Sequence, residues 1–338
     1  MPIPPPLPPP RPPSGTETKA DVVCIGETMA VLSPPDARPL ARQSALALAV
    51  GGAESNVACG LVALGHSAAW LGRVGDDPLG RRVLEDLTAR GVDVSGVRTD
   101  PARPTGVYFK DTGPEGTGTH YYRRDSAAAA MDTGLASLPL LHRARVLHLS
   151  GITAALSDSC AELVTHIVSR RAVPGPVISF DVNHRPALWR HRPVDAAPTL
   201  MELARGADLV FVGRDEAETL WGTRTAQDVR DLLGPGPVLV VKDAGHGATV
   251  YCADGEETFV PTPATRVVER VGAGDAFAAG YLAALLEDRS PANGLRLGHL
   301  AAAATLSTRE DVAAVLTRDT LDRHLALDDA AWSALRLT

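Results

Sequence analysis

The sequence is poor in the residues that build metal and redox centres. Its four cysteines, Cys24, Cys59, Cys160 and Cys252, lie far apart and form no CxxC pair. That excludes the usual zinc and disulfide spacings and leaves small buried hydrophobes in a reducing compartment. No apolar run approaches the roughly 18 residues of a membrane helix. No Lys/Arg block stands out, and the formal net charge of −7 argues against a general nucleic-acid binder. G-x-x-x-x-G-K-[ST] is missing, so this is not a P-loop chain. G-x-G-x-x-G is missing too: Gly245 and Gly247 are followed by Val250, and Gly272 and Gly274 by Phe277. A Rossmann dinucleotide fingerprint is therefore excluded. In "MPIPPPLPPPRPPSG" prolines stand where a signal peptide has its apolar core. Residues 1–20 read as a disordered or polyproline tail, and the protein as cytoplasmic.

What is present suffices for a sizeable core: 338 residues, 45% of them hydrophobic. From Asp21 onward the chain alternates. "DVVCIGE" is a buried strand. "ESNVACGLVALG" has helical spacing and stops at Gly65, and "LGRRVLEDLTARG" stops at Gly91. "TGVYFK" and "GTHYYRRDS" flank a Gly-rich turn and read as a hairpin. Then VLHL, VISF, LVFV and VLVV follow at βα spacing, apolar on both faces as a parallel sheet between helices requires. Ligands of open α/β sheets bind beyond the carboxyl ends of the strands. Those ends here carry Ser150-Gly151, Asp181 to Arg185, Arg214-Asp215-Glu216 and Lys242-Asp243.

One stretch, "RVGAGDAFAAGYLAALLE", begins a helix behind small residues. Gly272, Ala273 and Gly274 let backbone N–H groups approach an anion, which the helix N-terminus attracts. Asp275 reads two ways: a helix N-cap, or a general base beside a transferring phosphoryl group.

"VGAGDAFAAGYL" resembles the C-terminal signature of the ribokinase-like (PfkB) carbohydrate kinases, and "GGAESNVACGLVALG" resembles their N-terminal one. "LGRVGDDPLG" is similar to a third family segment, in the family's order and over about residues 21–320. "DVNHRPALW", "TGVYF", "YYRRDSA" and "HLSGITAALS" resemble the 2-keto-3-deoxygluconate kinase branch. The resemblance implies a ribokinase-like α/β fold: a mostly parallel central sheet with helices on both faces and a small β-strand lid. It implies that Asp275 activates the sugar's terminal hydroxyl above the nest of Gly272, Ala273 and Gly274. Gly52 and Asn56 would line the sugar site. Tyr108, Tyr121 and Arg123 would close from the lid, and Arg185 would bind the substrate's acid end. Lys242, Gly247, Gly272 and Gly274 would serve ATP, and Glu216 would act indirectly on Mg2+.

Each of these residues also has a plainer reading. Arg185 also reads as a partner for Asp181 or a strap between loops. Tyr108, Tyr121 and Arg123 fit ordinary hairpin packing, Lys242 a surface lysine, and Glu216 a helix-start acid. The sequence departs from the family pattern where Asn is replaced by Gly213 ahead of Glu216, and where Ala244 replaces a glycine in "KDAGHGA". Glu269 stands for the usual Asp before the GAGD turn, and "LSTREDVAA" lacks a glycine common in the adenine pocket. Glu27, in a family-like "GE", receives no role.

The expectation is one kinase domain over residues 21–328, with lid segments at about 36–50 and 104–126 and a tail at 329–338. The reaction expected is ATP-dependent phosphorylation of a sugar acid, 2-keto-3-deoxygluconate first. A 5-keto-2-deoxygluconate-type acid, a neutral ketose, or a non-catalytic sugar-binding protein of the same fold are the rivals. No nucleic acid or membrane is expected as partner, and open lid edges suit a homo-oligomer.

Overall fold

A strand apolar at every position is stable only where both its faces are covered, and the chain builds one sheet from such strands. The computed structural model describes residues 20–337 apart from 37, 114–115, 191, 309–311 and 313–315. The proline-rich segment therefore lies outside the described residues, except for Ala20, and so does most of "LSTREDVAA". The first strands are β1 (Val22–Ile25), β2 (Met29–Ser33), β3 (Ala47–Gly51), β4 (Ala68–Leu71), β5 (Arg73–Gly75) and β6 (Arg98–Asp100). A hairpin follows, β7 (Val107–Gly113) and β8 (Gly116–Tyr122). Then come β9 (Val146–Ser150), β10 (Val177–Asp181), β11 (Leu209–Gly213), β12 (Val238–Asp243), β13 (Gly247–Tyr251) and β14 (Glu257–Pro261).

The main sheet has eight strands in the order β14-β13-β12-β11-β10-β9-β1-β4. Neighbours from β12 to β4 are parallel, while β13 and β14 form an antiparallel edge. Alternation divides β1 between two cores, Val23 and Ile25 on one face and Val22 and Cys24 on the other. The first face is covered by helices Asp158–Val168 and Ala196–Gly206, through Leu163, Ile167, Leu200 and Leu203. The second is covered by Ala53–Ala63, Ala273–Leu286 and Pro291–Leu306, through Leu61, Leu282 and Leu297. Each such leucine contributes on the order of 1.5–3 kcal/mol. The last two helices touch at Gly280, where a Cβ would lie 2.5 Å from the Leu297 carbonyl oxygen.

A second sheet, β3-β2-β7-β8, forms the lid. Its small core is Met29, Val31 and Tyr108. The lid is larger than the segments 36–50 and 104–126 suggested, because β2 lies at its centre, between β3 and β7. Only Gly26, Glu27 and Thr28 separate β1 from β2, so the sequence reads there as one strand although the chain changes sheets.

Residues 329–337, expected as a tail, are docked. Helix Asp329–Ser333 buries Trp332, whose Nε1 donates to the Pro261 carbonyl at 2.9 Å. The Arg296 guanidinium lies 5.0 Å from the indole centroid. Arg336 and Leu337 then pair with Ala264 and Thr265. Among the described residues no helix is long and apolar enough to cross a membrane.

Candidate active site

The chain places Asp275 in the first turn of helix Ala273–Leu286, not at its cap. The N-cap is Gly272, at φ +82°, a left-handed conformation that glycine adopts freely. No side chain caps this terminus among the described residues; the Ala273 N–H donates to the Arg270 carbonyl at 3.4 Å, which leaves the N–H groups of Gly274 and Asp275 as those suited to an anion. The Asp275 carboxylate instead accepts a hydrogen bond from Asn56 Nδ2 at 2.9 Å. The N-cap reading of Asp275 therefore gives way, and Asn56, on helix Ala53–Ala63, becomes its orienting donor. Burial, by removing water, pushes the Asp275 carboxyl up to about 7; the Asn56 hydrogen bond opposes this, Asp181 adds to it, and Arg185 and Lys242 oppose it.

Lys242, at the end of β12, is largely buried. Its Nζ donates to Asp181 Oδ2 at 2.8 Å and sits 5.9 Å from the Phe211 ring centroid. A Cβ on Gly274 would lie 3.7 Å from that ammonium, so the charge rests against the glycine turn. Burial pulls the Lys242 pKa down, but Asp181, Glu216 and Asp275 together outweigh it and hold the ammonium charged. Glu216 Oε2 accepts from the Gly213 N–H at 2.8 Å, which satisfies the helix-start reading. Its other oxygen lies 3.5 Å from Arg185 Nη1, so Glu216 also faces the cluster. Burial, then Asp181, raises the Glu216 pKa, against the pull of Lys242, Gly213 and Arg185.

Arg185 does not pair with Asp181, which Lys242 takes. It is half-exposed, between Glu216 and its neighbour's carbonyl at His184, 3.1 Å away. Gly247 lies at the start of β13 opposite Asp243, where a Cβ would meet the Val260 carbonyl oxygen at 2.5 Å. Ala244, in the position where the family pattern has glycine, adopts φ +42°, which strains a side-chain-bearing residue by about 1–2 kcal/mol.

The lid residues form a second group. Tyr108 and Tyr121 are cross-strand partners with ring centroids 5.4 Å apart; Tyr108 is buried and Tyr121 exposed. Arg123 lies 5.5 Å from the Tyr121 ring centroid and pairs with Glu27. Gly52 fits closely beneath, since a Cβ there would come within 2.3 Å of the Glu27 carbonyl oxygen. Asp275, Asn56, Lys242, Gly274, Glu216 and Arg185 thus gather at one place, and Gly52, Tyr108, Tyr121 and Arg123 at the lid.

Sequence reasoning left Glu27 without a role and missed Glu54. Glu54 is wholly buried and accepts from Ser150 Oγ at 2.7 Å and Thr153 Oγ1 at 2.8 Å. Burial raises its pKa, while those hydroxyls, its own backbone N–H and the Arg123 charge pull it down. Their place was readable in the sequence: Glu27 closely follows the apolar strand Val22–Ile25, and Glu54 opens the helix Ala53–Ala63. Chemically, the arrangement offers an uncapped helix N-terminus, a fixed ammonium beside it, and a carboxylate that ionises near neutrality.

The pfkB family carbohydrate kinase profile matches residues 19–318. The chain is similar to a 2-dehydro-3-deoxygluconokinase of Bacillus subtilis (strain 168), with 34% identity over 312 residues, 91% of this chain and 96% of the relative. The structure is similar to that of a PfkB protein from Polaromonas sp. JS666, with TM-score 0.79 and 32% identity, covering 90% of this chain and 99% of the other. A sugar kinase from Pyrococcus horikoshii, solved in complex with ATP, shares the fold at TM-score 0.78 and 24% identity, covering 89% and 97% of the two chains.

Proposed function

The chain belongs to the pfkB family of carbohydrate kinases, and from that premise we propose that it transfers the terminal phosphoryl group of ATP to the terminal hydroxyl of 2-keto-3-deoxygluconate. The observation that carries this reading is the Asp275 carboxylate, held by Asn56 at an uncapped helix N-terminus and ionising at about 7. Asp275 takes the hydroxyl proton as the new O–P bond forms and the bond from the phosphorus to ADP breaks. The N–H groups at Gly274 and Asp275, with Lys242, stabilise charge on the transferred group. Positioning supplies most of the remaining rate, and lid closure excludes water that would otherwise accept the phosphoryl group.

Arg123 and Arg185 are the candidates for the acid end, since a guanidinium matches a carboxylate. Among the described residues no cluster of three or more His, Cys, Asp or Glu could hold a metal alone. Mg2+ is commonly held by one or two carboxylates plus substrate phosphates. Glu216 would act on the ion indirectly, and the ion would supply charge neutralisation on the phosphates. Two copies would meet at the lid, whose outer strands expose Leu48 and Tyr122.

The test is ATP consumption with Mg2+ against 2-keto-3-deoxygluconate, its galactonate epimer, 5-keto-2-deoxygluconate, fructose and ribose. Turnover confined to the first two supports the reading. Turnover of fructose or ribose discards the sugar-acid assignment. Sugar binding without turnover turns the protein into a non-catalytic member of the fold.

A further inference from the structure

Resting on the sugar-acid reading above, we propose that Glu27 is a positioning residue for substrate recognition: it holds the Arg123 guanidinium in the orientation that receives the substrate's carboxylate. Glu27 is 2% exposed and directly follows the core strand β1 through Gly26. Its Oε1 accepts from Ser126 Oγ at 2.6 Å, and its Oε2 faces Arg123 Nη2. A Cβ on Gly106 would lie 2.8 Å from Oε1, and one on Gly52 2.3 Å from the Glu27 carbonyl oxygen. One residue therefore touches the turn before the sugar-site helix, the lid's entry at Gly106 and its exit at Arg123 and Ser126.

A plain staple between sheet and lid is the competing role, and two observations speak against it as the whole account. Burying two opposite charges has a desolvation cost of several kcal/mol per ion, which neutral packing would avoid. Further, Arg123, 9% exposed, keeps a buried Nε with no hydrogen-bond partner among the described residues. A guanidinium has five N–H donors in a fixed fork. Glu27 pairs with Nη2 and the Tyr121 ring lies 5.5 Å away, so the fork is held from two sides and keeps an unspent donor at Nε. A carboxylate is the acceptor such donors suit. Glu27 touches no substrate in this account; it acts through Arg123.

The experiment compares steady-state kinetics of wild type, Glu27→Gln, Glu27→Asp, Arg123→Ala and the Glu27→Gln/Arg123→Ala double variant, with 2-keto-3-deoxygluconate and ATP varied separately. Loss of one charge-assisted hydrogen bond is expected to raise the sugar-acid KM of Glu27→Gln by about 10- to 100-fold. The ATP KM should stay unchanged and kcat within about threefold, Glu27→Asp should recover part of the loss, and the double variant should match Arg123→Ala. An unchanged sugar-acid KM in Glu27→Gln, or full additivity in the double variant, overturns the positioning role. An unchanged KM in Arg123→Ala overturns the carboxylate reading of Arg123 itself, which is a separate failure. If Glu27→Gln does not fold, Ser126→Ala removes only the donor to Oε1. A rise in the same KM then supports the role, and an unchanged KM overturns it.

Discussion

Replacing Asp275 with asparagine keeps the side chain's shape and an oxygen for Asn56 to donate to, and removes the charge. The fold holds this carboxyl at about 7 instead of 3.8, so ionising it destabilises the native state. The sign follows directly: the cost is absent below the ordinary value, grows as pH rises, and is complete above about 7. At ~1.4 kcal/mol per tenfold change, the full shift amounts to about 4 kcal/mol. Because the residue keeps partial solvent contact, about 2 kcal/mol is the realistic figure. Asp275→Asn should therefore raise Tm by about 3 °C at pH 8, given an unfolding entropy of about 0.7 kcal/mol/K for a chain of this length, and by roughly a third of that at pH 5. Turnover should fall by about 10²- to 10⁴-fold with sugar binding retained. Thermal melts at both pH values and coupled ATP turnover provide the readouts. A Tm gain equal at both pH values, or a loss at pH 8, refutes the electrostatic reasoning, and unchanged turnover removes Asp275 as base.

In the unaltered enzyme kcat/KM should rise with pH through about 7 as Asp275 ionises. Asn56→Ala removes a hydrogen bond that favours the ionised form, so the rising limb should move to higher pH; a pH–rate profile with an unmoved limb would count against the pairing. Gly52→Ala places a Cβ 2.3 Å from the Glu27 carbonyl oxygen and 2.9 Å from the Thr28 Cα. Backbone yields little, so about 1–3 kcal/mol of stability should be lost, with the sugar KM raised and the ATP KM spared in steady-state kinetics. Lys242→Met leaves Asp181 buried and unpaired and should lose about 3–5 kcal/mol in denaturant unfolding. The double variant Asp181→Asn/Lys242→Met should recover much of that stability, but not the turnover.

The central strands were legible because a strand apolar on both faces has one stable environment, and VLHL, VISF, LVFV and VLVV all occupy it. The hairpin of β7 and β8 was legible from its glycine-rich turn. The lid's full extent was not, since nothing in "CIGETMAVLS" marks where the chain leaves one sheet for another. Trp332 is a lone aromatic near the end of the sequence, and periodicity gives no account of its docking against Pro261. At the site, residue types were readable and their pairing was not. Asn56 and Asp275 are 219 positions apart, and no local pattern announces that one donates to the other. The choice between Asp181 and Glu216 as the neighbour of Arg185 depends on where Lys242 reaches, a fact of three dimensions.

The strand order carries a consequence for how the chain reaches this state. β1 is the first core strand made, yet its neighbours are β4 and β9, and Val22 pairs with Val146. At about 5–20 residues per second on the ribosome, β1 waits on the order of ten seconds for β9. During that interval an all-apolar strand has an open edge, and the closure it awaits is a slow, long-range one. Synthesis, rather than the finished enzyme, is when this protein is most exposed to aggregation.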